Sequence, residues 1–325
     1  MVTSTTGDPD AKPDTRPTAL EVVAPHDLGG RCAIVTGGAS GIGVETVRAL
    51  AAAGARVIIA ARDRARSEAV AAELCQATGS GAIEARTLDL ASLASVRAFV
   101  DEFLARRQPL HLLVNNAGVM ATPQTYTEDG FELQFGTNHL GHFALTVGLL
   151  PALTATARAR VVVLTSSGHR RSDIHFQDIH FRERPYERFS AYGQSKTANA
   201  LFAVGITQRY AAAGVTANAV MPGGIITGLQ KHMSREEQIA LGWFDDAGAI
   251  NPLFKTPAQG AATSVWAAVA PELEGVGGRY LEDCRIAQPW TAANPYSGYM
   301  PYALDPESAA RLWSVSEDLV SLRAP

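Results

Sequence analysis

Short apolar runs alternate with longer stretches of helical periodicity along most of the chain. Runs near 32–36, 56–60, 83–88, 111–115, 160–165, 216–221 and 278–281 read as strands, and stretches at 41–53, 63–78, 92–107, 131–154, 190–213 and 258–270 read as helices. Strand–helix alternation with short connections predicts one doubly wound α/β domain. Its mostly parallel, seven-stranded sheet is flanked by helices and joined by right-handed crossovers. Ligands bind such sheets at the carboxyl ends of the strands, near the point where strand order reverses. The alternation spans residues 28–283. Residues 1–27 are polar and proline-rich and are expected to form a flexible extension. Residues 284–325 form a tail with Trp290, Tyr296, Tyr299, Tyr302 and a helix-like stretch from Pro306 to Leu322. This tail is compatible with capping a pocket or with covering an interface.

Two clusters of chemistry stand out on this frame. After the first strand, Gly37, Gly41 and Gly43 lead into a helix, a strand–turn–helix order in which glycine lets the backbone approach a pyrophosphate lying against free helix N–H groups. Further on, Tyr192 and Lys196 are four residues apart and so share one helix face. With eight tyrosines and only Lys12, Lys196, Lys231 and Lys255 among the lysines, a chance Tyr-x-x-x-Lys is expected on the order of 0.1 times. A phenol with an ammonium one turn away is a proton donor whose acidity its neighbour adjusts.

Together with three further motifs in order, these clusters resemble the short-chain dehydrogenase/reductase family. Thr36-Gly37-x-x-x-Gly41-Ile42-Gly43 is similar to its phosphate turn, Asp89-Leu90 to its adenine contact, Asn115-Asn116-Ala117-Gly118 to its fourth-strand motif, and Pro222-Gly223 to its turn after the sixth strand. Asn138, Ser166, Tyr192 and Lys196 match its four catalytic positions. The resemblance runs from about Leu28 to Leu281 and implies a Rossmann-type fold. Asn138-His-Leu-Gly-His-Phe and Pro222-Gly-Gly-Ile-Ile-Thr, with the long separation of Ser166 from Tyr192, resemble the retinol dehydrogenase and protochlorophyllide reductase branch. The resemblance implies that Ser40, Asn116, Ala117, Gly118, Ile225 and Thr227 also line the cofactor, with Thr227 near its carboxamide. It further implies that Ser166 holds the substrate oxygen, that Lys196 bonds the nicotinamide ribose, and that Asn138 organises the helix backbone and a water leading to Lys196.

Cofactor choice is read at the end of the second strand, where a carboxylate would bond the ribose of NAD and a guanidinium the 2′-phosphate of NADP. The usual acidic position matches Ala61, and Arg62 follows, which favours NADP over NAD. Asp63 is expected either to cap the next helix or to repel the phosphate.

Composition acts mainly by exclusion. A chain of 325 residues, 46% hydrophobic, can bury a full core. A net charge of −4 without a basic block argues against a nucleic-acid surface. Cys32, Cys75 and Cys284 are scattered, which argues against a disulfide framework or a metal site and for a reducing cytoplasm. No run of 18 apolar residues suggests a membrane span, and no signal peptide is recognised. The segment from Gly223 to about residue 256 is expected to fold as a flap with Leu229, Met233, Ile239, Trp243 and Phe244 on its inner face. Those side chains either recognise a hydrophobic ketone, aldehyde or secondary alcohol or anchor the flap on the core. Reduction of a carbon–carbon double bond and a non-catalytic NADP-binding sensor are the alternatives; the resemblance is compatible with a homo-oligomer, and the sequence leaves the oligomeric state open.

Overall fold

The computed structural model describes residues 15–321. Seven strands pair in parallel: β1 (Cys32–Thr36), β2 (Arg56–Ala61), β3 (Ile83–Thr87), β4 (Leu112–Asn115), β5 (Ala159–Leu164), β6 (Val215–Met221) and β7 (Tyr280–Glu282). The sheet order is β3-β2-β1-β4-β5-β6-β7-β8, so the chain reverses direction across the sheet between β1 and β4. The eighth strand, β8 (Arg285–Ile286), pairs antiparallel with β7 and was not expected. It has two exposed residues, too few to show a period, and it follows a turn in which Asp283 and Cys284 both take positive φ.

Helices α1 (Ala19–Val23), α2 (Gly41–Ala52), α3 (Arg64–Thr78) and α9 (Pro257–Val269) build the core on one face of the sheet. On the other face lie α4 (Leu93–Ala105), α6 (Gly141–Thr154), α7 (Arg188–Tyr210) and α10 (Pro306–Val320). Part of the expected flexible extension is helix instead. Thr18 and Glu21 form a reciprocal capping box on α1, which buries Ala19 and Val23. Residues 1–14 lie outside the described residues. The tail is also built into the fold, since Trp313 of α10 packs on Phe143 and Phe202, with ring centroids 5.0 and 5.9 Å away.

The single helix expected over 131–154 is three pieces. Glu132 caps α5 (Leu133–Phe135) by accepting from the N–H groups of Gln134 and Phe135, a π-turn follows at Gly136–Leu140, and α6 continues. Gly141 allows this run to press on the loop after β3, where a Cβ would come within 2.3 Å of the Leu90 carbonyl oxygen. Glu187 caps α7 two residues earlier than periodicity predicts, and every residue from Ala191 to Ile206 is buried. That burial places the start of α7, with Tyr192 and Lys196, against the carboxyl end of β5.

Candidate active site

The glycine turn between β1 and α2 is shaped by what it excludes. A Cβ on Gly43 would lie 2.4 Å from the Gly37 carbonyl oxygen, while Gly37 and Gly41 take φ of +65° and +54°. Gly41 and Ile42 open α2, where by position their N–H groups have no acceptor within the helix. Ser40, the N-cap, is exposed and makes no side-chain cap bond. Thr36 secures the turn from below. Its Oγ1 accepts from the N–H groups of Asn116 and Ala117, each at 2.9 Å, and its carbonyl accepts from Asn116 Nδ2 at 2.7 Å. Thr227 closes the turn from above, its Cβ and Cγ2 3.4 Å from where a Cβ on Gly41 would lie.

At the end of β2, Arg62 is exposed and Asp63 caps α3 by accepting from the Arg66 N–H at 3.0 Å. The Arg66 guanidinium meanwhile donates to the Ala39 carbonyl at 3.1 Å, beside Ser40. A second cation thus stands at the glycine turn, in the first turn of the helix that follows Arg62. Asp89 does not cap α4: Ser92 does, and Asp89 Oδ1 accepts from the Ala91 N–H at 2.9 Å. Leu90 is buried beside it. At the end of β6, Gly223 has φ of +106° and Lys255 packs over it; Lys255 is paired with Asp283 at 2.5 Å. Ile225 is buried against Gly260 and accepts from Gln230 at 2.8 Å.

The four residues of the candidate catalytic set converge at the ends of β4 and β5. Tyr192 is buried and hydrogen-bonded to Ser166. Lys196 Nζ lies 5.6 Å from the Tyr192 ring centroid and donates to the Leu164 carbonyl at 3.2 Å. Gly168 makes room for the phenol, because a Cβ there would sit 2.9 Å from its Cε1. Thr165, next to Ser166, is spent on the Lys196 carbonyl at 2.7 Å. Asn138 lies in the π-turn with its amide fully engaged: Oδ1 accepts from Val119 N–H at 2.8 Å, and Nδ2 donates to Val119 O and Ser195 Oγ, both at 2.9 Å. It therefore fastens the loop after Gly118 to the helix that carries Tyr192.

His142 joins these two halves. Its ring bonds the Asn138 carbonyl through Nδ1 at 2.9 Å and the Thr36 hydroxyl through Nε2 at 2.8 Å. Thr36 Oγ1 already accepts two N–H groups, so it donates to Nε2, and the proton of the ring sits on Nδ1. His139, His142 and His169 are all fully buried, and each ring is hydrogen-bonded.

Burial dominates the electrostatics. It pushes the Tyr192 phenol up to about 12, with the Ser166 hydrogen bond opposing, and the Lys196 ammonium down to about 8. An ammonium that lowers the phenol was expected; in the protein alone, removal of both groups from water outweighs that attraction. Burial also holds His139 at about 3 and His142 and His169 at about 4, against 6.5 for an ordinary histidine. These rings are neutral when folded and protonated when unfolded below about 6.5. Their contribution to stability is complete above that pH and is lost as pH falls toward 4, with an upper bound of roughly 4 kcal/mol per pH unit for three protons. Glu132, raised by burial, acts in the opposite sense and offsets part of the loss. The melting temperature should fall between pH 7 and pH 5; an unchanged value in thermal unfolding would contradict the assigned protonation states.

An apolar cluster surrounds Tyr192. Met120, Ala121 and Met233 are buried against it, with Phe189, Leu229 and Trp243 partly buried alongside. Ala121 holds φ of +52° and its N–H is fixed by Gln134 Oε1 at 2.9 Å. Of the five expected flap residues, Leu229, Met233 and Trp243 reach this cluster. Phe244 instead lies beneath the Arg235 guanidinium, which is 3.2 Å from its ring centroid, and Ile239 is half-buried within α8 (Arg235–Ala240). Arg66, Met120 and Ala121 were missed by the sequence reading, as was the hydrogen-bonded role of His142. Spacing held a signal for the last of these, because His142 follows Asn138 by four residues.

The model of the short chain dehydrogenase family matches residues 31–238. A protein of Streptomyces antibioticus named "Probable oxidoreductase" is 50% identical over 302 residues, covering 92% of this chain and 99% of that one. Retinol dehydrogenase 14 of Mus musculus is 40% identical over 313 residues, covering 92% of this chain and 88% of the mouse protein. Among solved structures, the RhlG/NADP active-site complex of Pseudomonas aeruginosa is similar with a TM-score of 0.62 and 27% identity, covering 79% of this chain and 95% of that one.

Proposed function

The chain belongs to the short-chain dehydrogenase/reductase family and resembles its retinol dehydrogenase branch, and from that premise we propose that it is an NADP-dependent reductase of hydrophobic ketones or aldehydes. The observation that carries this reading is the convergence of Ser166, Tyr192 and Lys196 under an apolar cluster beside a glycine turn whose backbone is bare of side chains. The fit to the cofactor rests on that turn. Gly37, Gly41 and Gly43 leave the backbone approachable, and the first N–H groups of α2 would hold the pyrophosphate. Arg62 and Arg66 would receive a 2′-phosphate, and Asp89 would offer a carboxylate oxygen to the adenine amine. Bound there, the nicotinamide supplies hydride.

The protein's own residues manage the accompanying proton. As hydride reaches a carbonyl carbon, charge builds on the oxygen and must be met in step. Ser166 orients that oxygen by a hydrogen bond. Tyr192 donates the proton, and a phenol held protonated by burial is the form able to do so. Lys196, near neutrality still largely an ammonium, stabilises the phenolate left behind. Met120, Met233, Leu229 and Trp243 exclude water and favour apolar substituents.

The test is NADPH and NADH consumption by the purified protein against a series of ketones and aldehydes of increasing apolar size. Carbonyl-dependent consumption that prefers NADPH and larger substrates is expected. Tight NADPH binding without consumption across the series would instead point to a cofactor-binding sensor.

A further inference from the structure

The turn that carries Ser166 is held between α7 and the C-terminal tail, and the two meet at one imidazole. Ser166 caps a short 3-10 turn, Ser167–Arg171, its Oγ accepting from the Gly168 N–H at 3.0 Å. His169 in that turn is fully buried. Its Nδ1 lies 2.7 Å from the Ser166 carbonyl oxygen and 3.2 Å from the Tyr280 hydroxyl, and its Nε2 lies 3.0 Å from the Met300 N–H. A backbone N–H only donates, so Nε2 is the acceptor and the ring proton sits on Nδ1, directed at Ser166. The His169 carbonyl accepts from the Tyr302 hydroxyl at 2.9 Å, and the hydroxyl of Thr197, the neighbour of Lys196, lies 3.2 Å from it and 2.7 Å from the Ser172 carbonyl. Arg170 adds a second tie to the tail, donating to the Pro295 carbonyl at 2.5 Å. The tail is in turn anchored on β7, where the buried Glu282 accepts from the Gly298 N–H at 3.0 Å.

We propose that His169 is a positioning residue of the site: tail residues 295–302 set its tautomer, and its Nδ1–H fixes the main chain of Ser166 and hence the hydroxyl that meets the substrate oxygen. The inference rests on the reading of Ser166 as the group that binds that oxygen. It makes the tail a working part of the site, contributing no atom to the substrate but ordering one that does. The imidazole, with its basicity lowered by burial to about 4, keeps this single neutral tautomer near neutrality.

Side-chain geometry separates positioning from filling. Asn at 169 reproduces the Nδ1–H donor toward Ser166, whereas Gln, closer to histidine in volume, reaches the Nε2 position instead. In NADPH-dependent ketone reduction, His169→Ala should lower kcat by on the order of tenfold to a hundredfold, the scale of a slightly misplaced reacting group, with little change in NADPH affinity. His169→Asn should recover most of that loss and His169→Gln much less. Met300→Pro removes the donor to Nε2 at a φ of −76° that proline accepts, and should lower kcat in the same direction. Recovery by Gln as good as by Asn overturns the proposal, as does a wild-type kcat in His169→Ala beside a loss in Ser166→Ala. Where His169→Ala does not fold by circular dichroism, an unchanged kcat in Met300→Pro overturns it. A wild-type enzyme indifferent to Ser166→Ala is the separate failure of the underlying reading, and the inference falls with it.

Discussion

Tyr192→Phe should lower kcat by about a hundredfold to ten-thousandfold, the range that a positioned proton donor contributes. The substitution removes one oxygen from a ring that is otherwise packed among Met120, Ala121 and Met233, so the fold and the apolar cleft persist. NADPH affinity should change little, since a single neutral hydrogen bond is worth only about 1 kcal/mol. The pair of measurements, turnover and NADPH binding by fluorescence titration, separates a donor from a scaffold. Equal turnover by the two proteins would remove Tyr192 from the chemistry, and parallel loss of binding and turnover would make it a structural residue.

The second large effect concerns cofactor choice. Arg62→Ala should weaken NADPH by roughly tenfold to a hundredfold, the equivalent of one charge-assisted phosphate contact, and leave NADH unchanged. Arg62→Asp should go further, because a carboxylate repels the 2′-phosphate and accepts from a free ribose hydroxyl. Of the two roles open to Asp63, the cap is the one present, its carboxylate accepting from the Arg66 N–H at the start of α3. Arg66→Ala should weaken NADPH in the same sense. The two losses should not add fully, because both guanidinium groups address one phosphate. Dissociation constants for both cofactors decide the matter: losses equal for NADPH and NADH would show that these arginines act on the turn and not on the phosphate.

The parts of the fold that were legible in the sequence are those whose burial repeats with a regular period. All seven parallel strands and the main helices fall within a few residues of their expected positions, because runs such as Cys32–Thr36 are fully buried and leave no ambiguity of period. What escaped is local and irregular. A π-turn at Gly136–Leu140 has the same apolar spacing as the helix around it, so only hydrogen bonding distinguishes it. The α1 turn and β8 are too short to carry a period. At the site, the motif residues are brought together as their spacing suggested. Which flap residues face Tyr192 depended on folding of the flap on itself, as with Phe244 beneath Arg235. The unexpected rise of the Tyr192 phenol is likewise a consequence of burial, which sequence spacing does not reveal.

The most direct test of the account is product analysis with an apolar α,β-unsaturated ketone and NADPH, because that substrate offers hydride two destinations. Proton delivery from Tyr192 to an oxygen held by Ser166 predicts the allylic alcohol. The saturated ketone as product, with NADPH consumed, would contradict the carbonyl reading and assign the site to carbon–carbon double-bond reduction.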